Sequence, residues 1–190
     1  MKKILAWHFV GDTLRDSRPI PADGEVLRHD GEMVMCESGL HWSRTPLAAL
    51  GYAPGPTLCR VNVWGDTQEE SDKGISRNRV ILWRMDCTDL LREFARRCAL
   101  DVVHLWNAPE VVLNYLKTGD ESLRDAARDA AWAAARDAAR AAGDAARDAA
   151  RDAARDAAWD AAWDAARAAA RDAQNKRLTE MIECARKSTS

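Results

Sequence analysis

The sequence predicts an α+β protein: a small N-terminal sheet domain with packed helices, followed by a long Ala-rich helical arm. Three observations carry that expectation. Lys3–Val10, Thr57–Trp64 and Arg79–Met85 read as strands, the first apolar on both faces and the second with Cys59, Val61 and Val63 opposing Arg60 and Asn62. Apolar residues then recur at helical spacing from Leu90 to Leu116. Finally, Arg-Asp-Ala-Ala repeats every four residues, so that residues 124–173 hold 27 Ala, 10 Asp, 9 Arg, three Trp and one Gly. Two parts follow, an α+β domain over 1–118 (sheet 1–86, helices 88–118) and a helical region over 120–187.

In chain order, Lys3–Val10 is apolar on both faces, which suits a central strand covered on each side. Gly11, Pro19, Pro21 and Gly24 mark an irregular connection. Glu25–Cys36 is compatible with a hairpin turning at Asp30-Gly31. A short helix runs from Pro46 to about Tyr52, capped by Ser43 or Thr45, with Pro46 in its first turn. Strand Thr57–Trp64, a polar loop from Gly65 to Asn78 and strand Arg79–Met85 complete the sheet. Thr88-Asp89 and Pro109-Glu110 open two helices expected to pack on it.

Alanine is the best helix former, so the repeat should be helical in almost any context. Its four-residue period exceeds 3.6, and the Ala stripe drifts by about 40° per repeat, which excludes a straight heptad seam. Gly143-Asp144 interrupts the phase. A break there gives an antiparallel hairpin; without one the arm is a bent rod of about 100 Å. Trp132, Trp159 and Trp163 occupy Arg positions of the repeat. With Met181 and Ile182 they are the expected contacts to a partner or to a second copy.

Charge is nearly balanced, 28 Lys+Arg against 30 Asp+Glu, so nucleic acid is not an expected partner. No stretch has the roughly 20 apolar residues of a membrane span, and the apolar run after Lys2-Lys3 breaks too early for a signal peptide. Five cysteines without paired spacing read as reduced thiols of a cytoplasmic protein. Cys36, His41 and Cys59 lack the Cys-x-x-Cys spacing of a zinc knuckle, and no metal is expected. Lys73, Arg77 and Arg79 read as a solvated basic turn, with a phosphate contact as the alternative.

One motif string runs through the N-terminal part: Gly39-Leu40-His41-x-Ser43, Ala49-Leu50-x-Tyr52-Ala53-x-Gly55, Leu58-Cys59-x-Val61, Asp72-Lys73 and Arg79-x-Ile81-Leu82. It resembles a bacteriophage-encoded family of domains of unknown function that often precede Ala-rich repeats. The resemblance implies a phage accessory protein in the bacterial host cytoplasm. It would be a non-enzymatic module that binds a host or phage protein, with interference with a defence protein as one version. The arm would then serve as a spacer or as the site of homo-oligomerisation. A virion or scaffold component is a further alternative.

A weaker resemblance is to the ADP-ribosyltransferase core, through Trp7-His8 at a strand end and the Gly-Leu-His-x-Ser segment. It implies NAD or ADP-ribose as ligand, with His8 at a ribose and His41 in the place of a stacking tyrosine. Ser43 and Tyr52 complete that set of ligand-binding residues. The resemblance also implies a glutamate late in the sheet. After Met85 the chain turns helical, which leaves Glu69 and Glu70 as the nearest carboxylates. Binding is therefore favoured over catalysis, and outside this alternative no cofactor is expected.

Overall fold

The computed structural model describes residues 2–149 and 157–188; for 141–149 and 157–165 only the helical backbone is described. Five strands form one antiparallel sheet: β1 (Ile4–Val10), β2 (Val26–Arg28), β3 (Leu40–Trp42), β4 (Thr57–Glu69) and β5 (Gly74–Asp86). Their order is β1-β4-β5-β2, with β3 also paired to β5. The helices are α1 (Pro46–Leu50), α2 (Thr88–Val102), α3 (Glu110–Thr118), α4 (Arg124–Ala149) and α5 (Ala157–Ser188). The expected α+β class is the observed one.

Several elements differ from the sequence reading. The polar stretch after Trp64 is mostly strand: β4 and β5 form one long hairpin that turns at residues 70–73 and absorbs its irregularity at Arg60/Val61 and Trp64/Thr67. Polar side chains are no obstacle there, because Thr67–Glu69 face solvent while the backbone ladder continues. Asp30-Gly31 does not turn a hairpin; β2 pairs with β5 instead. The segment Leu40–Trp42 is a strand, pairing with Gly74–Ser76.

β1 ends the strand order instead of lying at its centre. Its outer edge is not left open, since Trp7 and Ser43 exchange backbone hydrogen bonds of 2.9 Å. The circuit β1-β4-β5-β3 thereby closes on itself, a curled sheet with a concave inner face. Thr45 caps α1 by accepting from the Ala48 N–H at 3.2 Å, and Pro46 fills the first helical position, as the sequence suggests.

Register assigns the two faces. His8 opposes Cys59 and Ala6 opposes Val61, while Val63 opposes Arg79 and Val61 opposes Ile81. Residues directly opposite one another share a face, so His8 and Arg79 stand on the face of Ala6, Val10, Cys59, Val61, Val63 and Ile81. With Trp42, those apolar residues are the buried core. On the other face Trp7, Arg60 and Trp83 stand side by side. The Arg60 guanidinium lies 4.0 Å from the Trp7 ring centre, and the two indoles meet edge to face at 5.8 Å.

The chain divides into two compact units, Met1–Leu91 with Asp172–Ser190, and Arg92–Arg171. In the first unit the end of α5 belongs with the sheet. Leu178 and Ile182 are fully buried, Asn175 Oδ1 accepts from the Leu47 N–H at 3.4 Å, and Arg186 lies 4.7 Å over Trp83. Ile182 is thus spent on the sheet unit and not free for a partner. The four-residue spacing Leu178–Ile182 explains why: it makes a stripe one side of a helix can bury. The sequence reading gave this covering role to residues 88–118; from Arg92 onward they are grouped in the second unit.

In that second unit Phe94, Val112 and Ala127 are buried. α4 runs through Gly143 without a break, consistent with a cost of about 1 kcal/mol that its alanine neighbours offset. The hairpin expected from a break at Gly143 is therefore not found there; residues 150–156 lie outside the described residues. The side chains of Trp159 and Trp163 lie outside them too. No described helix is long and apolar enough to cross a membrane.

Candidate functional site

The concave face and the irregular segment after β1 enclose a cavity of about 960 Å³. His8, His41, Ser43 and Tyr52 all line it. The structure therefore brings together all four ligand-binding residues that the sequence singled out. β1 supplies His8, β3 and the residue after it supply His41 and Ser43, and Tyr52 follows α1. Gly39, two residues before His41, has φ +112, and a Cβ there would stand 3.1 Å from the Ile75 side chain. Glycine at this position lets the chain enter β3 against β5 and so aims His41.

The site's electrostatics centre on Arg79, which also lines the cavity. It is 4 % exposed, and Nη1 donates to the His41 carbonyl at 2.7 Å. Among the described residues no carboxylate pairs with it. Burial brings its pKa down to about 10, so it stays charged at neutral pH. A buried cation whose only protein acceptor is a neutral carbonyl is costly by several kcal/mol, and such groups are ordinarily paired.

Both histidines respond to this surrounding. Burial, then the Arg79 charge and His41, holds His8 well below the ordinary histidine range. Burial, with the charges of Arg15 and Arg79, also lowers His41. His41 Nε2 is buried and has no hydrogen-bond partner, as is Nε1 of the adjacent Trp42. Buried polar atoms left open in a cavity wall are what a ligand site offers before it is filled.

The rim is of mixed charge, Asp12, Asp16 and Glu37 beside Arg15, Arg18 and Lys73, and is tied down. Arg15 donates to the Cys36 carbonyl, which anchors the segment after β1 over the opening. Tyr52 donates to Asp72 at 2.7 Å, and Lys73 Nζ lies 5.4 Å from its ring centre. Arg77 donates to the carbonyls of His29 and Gly31 and serves the fold. Arg79 is the residue that sequence reasoning placed wrongly. It is a buried strand residue and not part of a solvated turn, because it shares the inner face with Ile81 two residues on. That parity was the available signal.

Glu69 and Glu70 do not line the cavity. Glu69 is held by Arg44 through two hydrogen bonds of 2.6 and 2.7 Å, and Glu70 pairs with Lys73 at 3.3 Å. Among the described residues no three of His, Cys, Asp and Glu stand together as a metal site. Cys59 in particular lies in the core, its thiol pushed up to about 11 by burial.

Residues 4–93 match the family model of a domain of unknown function, DUF7666. The matched segment contains all five strands and every residue that lines the cavity. It stops short of α3, α4 and α5. Comparison with curated proteins and with solved structures gives no match.

Proposed function

We propose that this chain is a non-enzymatic binding module, with the cavity of the sheet unit as the seat of a small nucleotide-like ligand of the NAD or ADP-ribose kind. The observation that carries the reading is the gathering of His8, His41, Ser43 and Tyr52 on one cavity of about 960 Å³. That volume lies in the range of small-molecule sites. The exposed Tyr52 ring at the rim supplies a flat surface for a base or nicotinamide ring. Binding without turnover is favoured because Glu69 is held by Arg44, away from the cavity. The carboxylates that do line the cavity, Asp12, Asp16 and Glu37, belong to the segments between β1 and β3 and not to the late strand where the resemblance places its oxocarbenium-stabilising glutamate.

Isothermal titration calorimetry with NAD and with ADP-ribose tests this reading. Binding at micromolar to millimolar ligand, weakened by His8→Ala and by His41→Ala, is the expected result. Absence of heat at millimolar concentrations of both ligands removes the reading.

A second reading concerns the arm and rests on Trp132, which is 64 % exposed on α4. Under it the arm makes protein contacts, with a second copy of this chain or with a host or phage protein, in the accessory role that the resemblance to phage-encoded sequences implies. The two readings are compatible, since one lies in each unit.

A further inference from the structure

The cavity is lined by the carboxylates of Asp12, Asp16 and Glu37, yet none of them forms an ion pair with its buried cation, Arg79. Arg79 is buried, gives one hydrogen bond to a neutral carbonyl and has no carboxylate partner among the described residues. A guanidinium has five N–H donors, so most of its donor capacity is unspent inside the protein. Nε2 of His41, whose carbonyl receives the Arg79 hydrogen bond, is buried and unpartnered; the other ring nitrogen meets the Gly39 backbone, so Nε2 donates to an anion when the ring is protonated, which a bound anion favours. His8 stands on the same face of the sheet and lines the same cavity as Arg79 and His41. We propose that Arg79, His41 and His8 form a phosphate subsite, so that the ligand of this cavity carries a phosphate or pyrophosphate group seated against the Arg79 guanidinium. This inference rests on the reading of the cavity as a ligand site and names the group that anchors the ligand.

The chemistry favours a phosphate group over a carboxylate. A guanidinium presents its N–H groups in a planar fork that meets two phosphate oxygens at once, which leaves a third oxygen for the imidazoles. A carboxylate that meets the fork with both oxygens has only their outer lone pairs left for the imidazoles, a poorer geometric match than a third phosphate oxygen. The remaining volume, about 960 Å³ in all, has room for the organic part of a nucleotide. The anion also lowers the cost of the buried charge, because it gives Arg79 the directly paired countercharge that none of the described carboxylates supplies.

Two titrations of the full-length protein test the subsite. In the first, inorganic pyrophosphate is added while the imidazole proton resonances are followed by NMR, with assignments from His8→Gln and His41→Gln. Saturable movement of the His8 and His41 signals is expected, and His104 in the second unit serves as the unmoved control. In the second, calorimetry compares pyrophosphate binding by the wild type with Arg79→Lys and Arg79→Met. Losing the fork should weaken binding about tenfold or more in Arg79→Lys, and further in Arg79→Met. Circular dichroism establishes that each variant is folded; if neither is, the wild-type titration decides.

Pyrophosphate that leaves both histidine signals in place at millimolar concentration overturns the subsite, whether or not NAD binds. NAD or ADP-ribose affinity unchanged in a folded Arg79→Met also overturns it, while the nucleotide reading stands. Pyrophosphate binding at His8 and His41 with no heat from NAD or ADP-ribose supports the subsite and removes the nucleotide reading.

Discussion

At the residue scale, His8 makes stability depend on pH in a predictable direction. In the unfolded chain a histidine takes up its proton near pH 6.5. In the folded protein burial, Arg79 and His41 hold His8 well below that value, and His41 is lowered as well by burial, Arg15, Arg79 and Lys73. Below about pH 6.5 the unfolded state therefore binds more protons than the native state, and stability falls as pH falls. Each such histidine contributes a slope of up to about 1.4 kcal/mol per pH unit in that window. Urea midpoints should accordingly decrease between pH 7.5 and 5, and His8→Gln should flatten part of the decrease. A midpoint constant across this range, or an unchanged slope in His8→Gln, contradicts the assignment. The carboxylates with lowered pKa, such as Asp16 beside Arg18 and Glu69 beside Arg44, act only at lower pH and do not blur the test. Both site histidines were legible in the sequence, His41 from its Gly-Leu-His turn and His8 from its place in an apolar strand. Arg79 was not, because Lys73, Arg77 and Arg79 look like one basic loop until strand parity separates them.

At the element scale, the β4–β5 hairpin shows why boundaries were harder to read than strands. Its core half is legible as strand, from the alternation of Cys59, Val61 and Val63 with Arg60 and Asn62 and from the apolar run Val80–Trp83. Its outer half is written in polar residues that only a backbone ladder organises, and a sequence period cannot report hydrogen bonds. Gly74 opens β5 where β3 joins the sheet, opposite Trp42. A Cβ at this position would stand 2.4 Å from the Trp42 indole and 2.9 Å from the Gln68 carbonyl. One neighbour is a fully packed ring and the other is backbone, so neither can yield cheaply. Gly74→Ala is expected to lose about 1–3 kcal/mol through overpacking. A lower urea midpoint with an unchanged denaturant slope would report it. A variant as stable as the wild type would mean that the Trp42 ring moves freely, against its 2 % exposure. Since Trp42 also lines the cavity, the same variant should weaken any ligand held by His41.

At the scale of the whole molecule, the near-neutral charge, formally -2, has two different sources. In the sheet unit it is the sum of a mixed surface; in the arm it arises within each Arg-Asp-Ala-Ala unit, so the helix carries little net field and nothing repels a second copy. The arm joins two segments of the sheet unit, because the chain leaves that unit after Leu91 and re-enters it at Asp172. Deleting everything beyond 120 would therefore remove Leu178 and Ile182 from the sheet unit, and such a deletion cannot test self-association. Trp132 offers a cleaner probe. It takes an Arg position of the repeat, so Trp132→Arg restores the local pattern and slightly improves helix propensity. The arm unit also exposes Leu105 at 72 % and Val102 at 50 %, large apolar surfaces that a lone chain gains nothing by showing to water. If self-association covers Trp132, light scattering at rising concentration should show mass growing from 21.1 kDa towards a multiple of it. In Trp132→Arg that growth should shift to about tenfold higher concentration, the effect of losing one aromatic anchor. A wild type that stays at 21.1 kDa throughout would assign Trp132 to a different protein or to no contact. A variant that assembles as the wild type does would place the self-contact elsewhere on the arm.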